Sequence, residues 1–251
     1  MVQGSQPAAT GNSNQLDNPI WYALTSSQAN FAEASELARR FPPEITSLAG
    51  FLEATRESYD SLASLVPAGQ DVALFLESAP VSPAGWTIIE TTPMLQMVHN
   101  GCEPLNYAGE AEELNAVDAP QMLALAELTK PGPFGKRTHE LGTFLGIRRD
   151  KKLVAMVGER LRVPGYTEIT AVCTHPEFSG RGYASALVAA LVRRISARDE
   201  VPFLHVRSRN ERAVALYEKL GFRARMTFCL TVLRRLKEDD PWTPRCRRNH
   251  H

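Results

Sequence analysis

Ser179-Gly180-Arg181-Gly182-Tyr183-Ala184 is the stretch of this 251-residue chain whose residue types point most directly to chemistry. Two glycines one residue apart admit backbone angles closed to other residues and let a ligand approach with no Cβ in the way. Arg181 between them adds a fixed positive charge suited to phosphate. Behind the turn, Ala184, Leu187, Val188, Leu191, Val192 and Ile195 recur at the spacing of one helix face, so the helix that starts here is anchored in a core. Ahead of it, residues 166–174 read as a strand. A strand, a glycine turn and a helix N-terminus gather free backbone N–H groups at the positive end of a helix dipole, which makes an anion site.

Three phosphate-binding patterns compete for that site. A Walker A loop needs a closing GK[ST], which is missing. A dinucleotide fingerprint would run Gly180-x-Gly182-x-x-Ser185 with Glu200 about twenty residues on, but its third glycine is absent and the strand ends too early. The third pattern is a pyrophosphate loop for an acyl-CoA.

Residues 210–222, NERAVALYEKLGF, supply the second half of the pattern. Asn210 suits a helix N-cap, and Gly221 after Leu220 suits its C-terminal stop. Tyr217 on this helix reads equally as a core aromatic or as a proton donor. Together with residues 172–184, the segment resembles the GNAT superfamily of N-acetyltransferases. The resemblance covers about 141–233 and is nearest to the branch with glycine N-acyltransferase-like C-terminal domains. It implies a GNAT fold, a mixed α/β architecture with a central mixed sheet flanked by helices, preceded by a GNAT-like N-terminal half.

It also implies that Ser179, Gly180, Arg181, Gly182, Tyr183, Ala184 and Ser185 cradle the CoA pyrophosphate. Backbone groups of Val172, Cys173 and Thr174 would bind the pantetheine, and Asn210 and Tyr217 would approach the cofactor. In the family pattern [RQ]-x-x-G-x-[GA], Gly182 and Ala184 match the last two positions and Ser179 stands where Arg or Gln is usual. The resemblance also gives Tyr217 the thiol-facing acid role. A phenol with an ordinary pKa near 10 suits a thiolate leaving group.

Other titratable residues carry two readings each. Alternation puts Glu168, Thr170, Val172 and Thr174 on one face, where Glu168 is either the base that takes the amine proton or a solvent-facing strand residue. His205 is a weaker base candidate or a satisfied sheet histidine. His139 and Glu140 lie in the proline- and glycine-rich segment 130–142, a lid over the substrate or a plain surface loop. Cys173 need not be a nucleophile, because direct transfer from a thioester to an amine has no covalent enzyme intermediate. His99 reads as a surface residue at a strand end.

Bulk properties exclude several classes. Lys plus Arg equals Asp plus Glu at 28 each, so no global charge draws nucleic acid or acidic membranes. Cys102, Cys173, Cys229 and Cys246 are widely spaced without a CxxC pair, which argues against a zinc site or a disulfide scaffold; no metal is expected. No apolar run approaches a membrane span, and the polar start lacks a signal peptide's pattern. The expectation is a cytoplasmic protein using acetyl-CoA on a small-molecule amine, monomer or homodimer. A non-catalytic acyl-CoA module of the same fold is the alternative.

The remaining elements place these residues. A disordered tail is expected at 1–18, an N-terminal α/β region at 19–115, an acetyltransferase domain at 116–237 and a basic tail at 238–251. Helices are expected at 29–40 and 45–65. Strands are expected at 71–77, 86–90 and 93–99. An acidic join at 110–118 leads to a helix capped by Asp118 and ending near 129. A hairpin (143–149 with 153–160) precedes the central strand, and a strand at 203–206, the second helix and a strand at 224–233 follow.

Overall fold

The computed structural model describes residues 15–81, 83–102 and 111–237. The expected tails therefore lie outside the described residues, except that Gln15–Asp17 form a 3-10 turn with Leu16 buried. Helix α1 (Pro19–Thr25) is followed by short strands β1 (Glu33–Ala34), β2 (Ala38–Arg40) and β3 (Ala49–Phe51), then helix α2 (Arg56–Leu65) and strands β4 (Asp71–Leu76) and β5 (Trp86–His99). Strand β6 (Glu112–Leu114) and helix α3 (Ala119–Thr129) lead to β7 (Phe144–Arg149), β8 (Lys152–Val163) and β9 (Tyr166–Thr174). Helix α4 (Tyr183–Ser196), β10 (Val201–Arg207), α5 (Glu211–Lys219) and β11 (Phe222–Arg235) complete the fold.

Strands from both sides of residue 115 share one eight-stranded sheet, in the order β4-β11-β5-β10-β9-β8-β7-β6. Every neighbouring pair is antiparallel except β9 with β10. The mixed α/β architecture expected from the sequence is what is observed. Helices α4 and α5 bury their apolar stripes on one face, where Leu187, Val188, Leu191, Val192 and Ile195 meet Ile169, Leu204 and Phe222. The N-terminal segment covers the other face, with Leu16, Ile20, Leu24, Phe41 and Ile45 against Phe75, Leu161, Phe203 and Phe228.

Four expected elements differ. Residues 29–40 form a 3-10 turn and two strands rather than a helix, since β2 pairs with β3 and Ser61 Oγ accepts from Leu37 N at 2.9 Å. Those partners outcompete a helix whose apolar spacing is carried partly by small Ala residues, and Leu37 ends up exposed. The helix expected at 45–65 shrinks to α2, because the Thr55 side chain accepts from Ser58 N and starts it there. The strands expected at 86–90 and 93–99 are one strand. Pro93 is tolerated inside it because the β10 pairing ends at Arg207 opposite Met94, so no ladder needs a donor from Pro93 on that side.

The segment 130–142 is pinned by its own contacts. Arg137 N donates to Glu44 O at 2.9 Å, Thr138 is buried, and a Cβ at Gly135 would sit 2.3 Å from Glu44 O. His99 is buried rather than superficial: its Nε2 meets Leu220 O at 3.1 Å and its Nδ1 accepts from Gly101 N at 3.2 Å, so it braces the turn after α5. Asp118 is the N-cap of α3 as expected, but its side chain caps nothing in that helix; its carboxylate accepts from Asn115 N at 2.9 Å, and Asn115 in turn caps the 3-10 turn Ala116–Asp118.

Candidate active site

Strands β9 and β10 run side by side only from Tyr166 opposite Val201 to Ile169 opposite Leu204; beyond that they part. The cause is visible in β9. Between Gly158 and Met156 the β8 strand advances two residues while β9 advances three, from Thr170 to Cys173, and Ala171 takes a φ of 51°. This bulge redirects the strand and leaves its β10-side edge without a partner strand over its last residues. It also reverses the alternation expected for Glu168, Thr170, Val172 and Thr174: Val172 packs with the Ile169 face, while Ala171 and Cys173 pack toward α3.

At the end of that edge the chain turns through Pro176–Phe178 into α4. Gly180 and Gly182 have φ of 78° and 79°, and a Cβ at either would meet nothing within 4 Å. Gly182 is the N-cap of α4, and no side chain caps the helix, so the amides of its first turn face outward. The Arg181 guanidinium lies 4.9 Å over the Phe178 ring. Arg149, not singled out in the sequence, stacks 5.2 Å over Tyr183 and its Nε donates to the Tyr183 hydroxyl at 3.1 Å. Ser179, Gly180, Arg181 and Gly182 are exposed, Ala184 and Ser185 half-buried and Tyr183 buried. The turn has the free donors, the open approach and the positive charge that a pyrophosphate needs.

On the same sheet face, α5 begins at Asn210, whose side chain accepts from Ala213 N at 3.2 Å. Tyr217 on α5 packs in the apolar cluster with Tyr183, Leu187, Val206 and Phe222, its ring centroid 6.0 Å from that of Phe222. Burial pushes its phenol up to about 12, so it keeps its proton at any ordinary pH. Burial likewise pushes the Cys173 thiol up to about 11, which makes it a poor nucleophile.

Glu168 stands on the opposite face, in a buried polar chain that crosses five adjacent strands. Arg160 on β8 grips it twice, Nε to Oε2 at 2.8 Å and Nη2 to Oε1 at 2.6 Å. His205 on β10 donates from Nδ1 to Glu168 Oε1 at 2.8 Å, and its Nε2 then accepts from Gln96 Nε2 on β5 at 3.1 Å. Gln96 Oε1 accepts from Arg225 on β11 at 2.8 Å, and Arg225 pairs with Asp17. Burial would raise the Glu168 carboxyl, but the Arg160 guanidinium and the His205 hydrogen bond outweigh it and hold it at about 2. A carboxylate so held takes a proton poorly. The geometry therefore favours a positioning role for Glu168 over the base role read from the sequence. His205, its pKa lowered chiefly by burial, is the satisfied sheet histidine of the two readings. His139 is half-buried in the pinned segment, and Glu140 is engaged with Arg137 at 2.7 Å. Gln96 and Arg225 carry no local motif, and only the strand register brings them into this chain.

A family model described as FR47-like protein matches residues 144–231, from β7 into β11. A crystal structure from Novosphingobium aromaticivorans, assigned to the GNAT family of acetyltransferases, is 36% identical with a TM-score of 0.84, covering 90% of this chain and 100% of that one. The chain belongs to the GNAT family. A GCN5-related N-acetyltransferase from Kribbella flavida shares the fold at a TM-score of 0.56 and 16% identity, over 85% of this GNAT chain and 95% of the other. An acetyltransferase from Pectobacterium atrosepticum is 40% identical over 67 residues, which is 26% of this chain and 45% of the relative. One from Yersinia enterocolitica is 40% identical over 58 residues, 22% of this chain and 40% of the relative. The GNAT chain thus spans less than half the length of either curated relative. Among the described residues no helix is long and apolar enough to cross a membrane.

Proposed function

We propose that the protein transfers an acetyl group from acetyl-CoA directly to a primary amine of a small molecule or amino acid, in the cytoplasm. The observation that carries this reading is the parting of β9 from β10 beside an uncapped α4 N-terminus. The freed backbone of Val172, Cys173 and Thr174 is an edge along which an extended amide-bearing arm pairs as an added strand would. Residues 179–185 would hold the pyrophosphate at the far end of that edge, with Asn210 and Tyr217 lining the other wall. We also place the chain nearest the glycine N-acyltransferase-like branch, on the resemblance of its C-terminal half.

Acetyl-CoA supplies a thioester, whose carbonyl carbon is open to a neutral amine and whose sulfur leaves. Tyr217 holds a proton at its hydroxyl for that sulfur and recovers one, by way of water, from the nitrogen that has formed the amide. The apolar cluster around Tyr217 keeps bulk water from the thioester. Calorimetry with acetyl-CoA, followed by thiol release across a panel of amines, tests the reading. Absence of binding at high micromolar cofactor refutes it. Because Glu168 is locked in its ion pair, a second reading keeps the acyl-CoA site without turnover; binding with no thiol release for any amine would establish that one.

A further inference from the structure

Tyr217 is 8% exposed, and its hydroxyl makes no hydrogen bond with any described residue. The direction of the phenol is therefore set from the other end, by where the last turn of α5 sits. Tyr217 is the one residue of that short helix that is buried, so packing alone holds the helix lightly. Asn210 caps its start, and its end is held from β5. Leu220 N donates to Tyr217 O at 3.0 Å, and Leu220 O in turn meets His99 Nε2 at 3.1 Å. Asn100 N donates to Gly221 O at 2.9 Å, and His99 lies opposite Phe222 in the ladder. The approach is close: a Cβ on Gly221 would stand 2.9 Å from His99 Nε2 and 3.0 Å from Asn100 Oδ1. A second route runs through edge-on rings, with centroids 5.2 Å apart from His99 to Phe222 and 6.0 Å apart from Phe222 to Tyr217.

We propose that His99 is a positioning residue that aims Tyr217 at the departing sulfur by clamping the end of α5; this rests on the acetyltransferase reading of Tyr217. The ring suits the task. Gly101 N donates to its Nδ1 at 3.2 Å, so Nδ1 is bare and the ring proton sits on Nε2, where it donates to Leu220 O. Both nitrogens are thus engaged, and the ring, 5% exposed, has one tautomer and one orientation. Carbonyls at a helix end have no partner inside the helix, so a buried donor that meets one fixes that end in place. His99 acts on α5 alone among the parts of the candidate site, since β10 stands between β5 and the freed edge of β9. Strand β5, which lies outside the matched motifs, thereby gains a role in the chemical step.

Two substitutions separate the clamp from mere filling of space. An Asn side chain reaches as far as Nδ1 and still accepts from Gly101, whereas Gln reaches as far as Nε2 and still donates to Leu220. His99→Asn should lower kcat about tenfold while the KM and Kd of acetyl-CoA stay within about twofold, and His99→Gln should recover most of that loss. In a Tyr217→Phe background, His99→Asn should cost less than about twofold more, because the group it aims is gone. The Tyr217 ring signal in protein carrying isotope-labelled tyrosine, assigned by its loss in Tyr217→Phe, should shift in His99→Asn and stay in place in His99→Gln. That signal needs no turnover, so it decides the clamp even if the protein fails to bind acetyl-CoA or to release its thiol, which is how the acetyltransferase reading fails. If His99→Asn does not fold, His99→Leu, which keeps apolar volume and removes both hydrogen bonds, carries the same expectations. An unshifted Tyr217 signal, an unchanged kcat, an equal loss in the Tyr217→Phe background, or a loss confined to acetyl-CoA affinity overturns the proposal.

Discussion

Replacing Glu168 with Gln tests whether this carboxylate is a strut or a base. Its side chain is 1% exposed and that of Arg160 7%, so the variant leaves a guanidinium buried without its counter-charge. Removing one partner of such a pair costs about 3–5 kcal/mol. In a chain of this size that lowers Tm by about 10 °C. The Arg160→Met/Glu168→Leu double variant removes both charges; what remains is the His205 N–H without its acceptor, about 1–3 kcal/mol. The double variant should therefore be more stable than the single one, in urea unfolding and in thermal scans. Under the strut reading turnover returns with stability, because no step needs the carboxylate. Two results refute the reasoning: a Glu168→Gln loss under about 1 kcal/mol, or a double variant as unstable as the single. A stable double variant without turnover would restore Glu168 as the base. The same pair fixes an acid response. The folded carboxyl sits at about 2, below its unfolded value, so its contribution is present above pH ~4.5 and is lost as pH falls toward 2. His205, lowered chiefly by burial, acts in the same direction at higher pH: the unfolded chain binds its proton first, and stability declines as pH drops below about 6.5.

Other outcomes follow from the α4 face. Tyr217→Phe should cut turnover at least about tenfold while acetyl-CoA affinity stays within about twofold. Since the phenol sits at about 12, the rate should rise with pH as the amine loses its proton, with no alkaline fall below about pH 11; such a fall would remove Tyr217 as the acid. Gly182→Ala puts a methyl group at φ 79° in the open space before α4. It should cost about 1 kcal/mol in stability and more than about tenfold in acetyl-CoA affinity, read by calorimetry. With its thiol at about 11, Cys173 is about one part in a thousand thiolate at pH 8, so a thiol reagent should modify exposed Cys102 first, and Cys173→Ala should keep turnover within about threefold.

The sequence was legible wherever structure is local. The SGRGYA turn, the α4 stripe and the Asn210–Gly221 bracket of α5 each state their geometry within a dozen residues, and the structure places all three on one face of the sheet. Legibility failed where partners lie far apart in the chain. Residues 29–40 have enough helical spacing to suggest a helix, but β2 answers to β3 and Leu37 to Ser61, neither within reach of a local pattern. Glu168 failed for the same reason. Alternation assigned it a face, whereas its chemistry is set by Arg160 on one neighbouring strand and His205 on the other, and the Ala171 bulge undoes the alternation three residues later. The most telling case is Gln96, a polar residue in an apolar strand with no motif around it. It holds together Leu16 O, His205 and Arg225, which belong to the N-terminal turn, β10 and β11. Its amide oxygen must face Arg225 and its amide nitrogen both His205 and Leu16 O, so one orientation satisfies all three contacts and the flipped one breaks all three. That one-way order ties the N-terminal segment to β10, the strand that parts from β9, and so joins it to the frame of the candidate site.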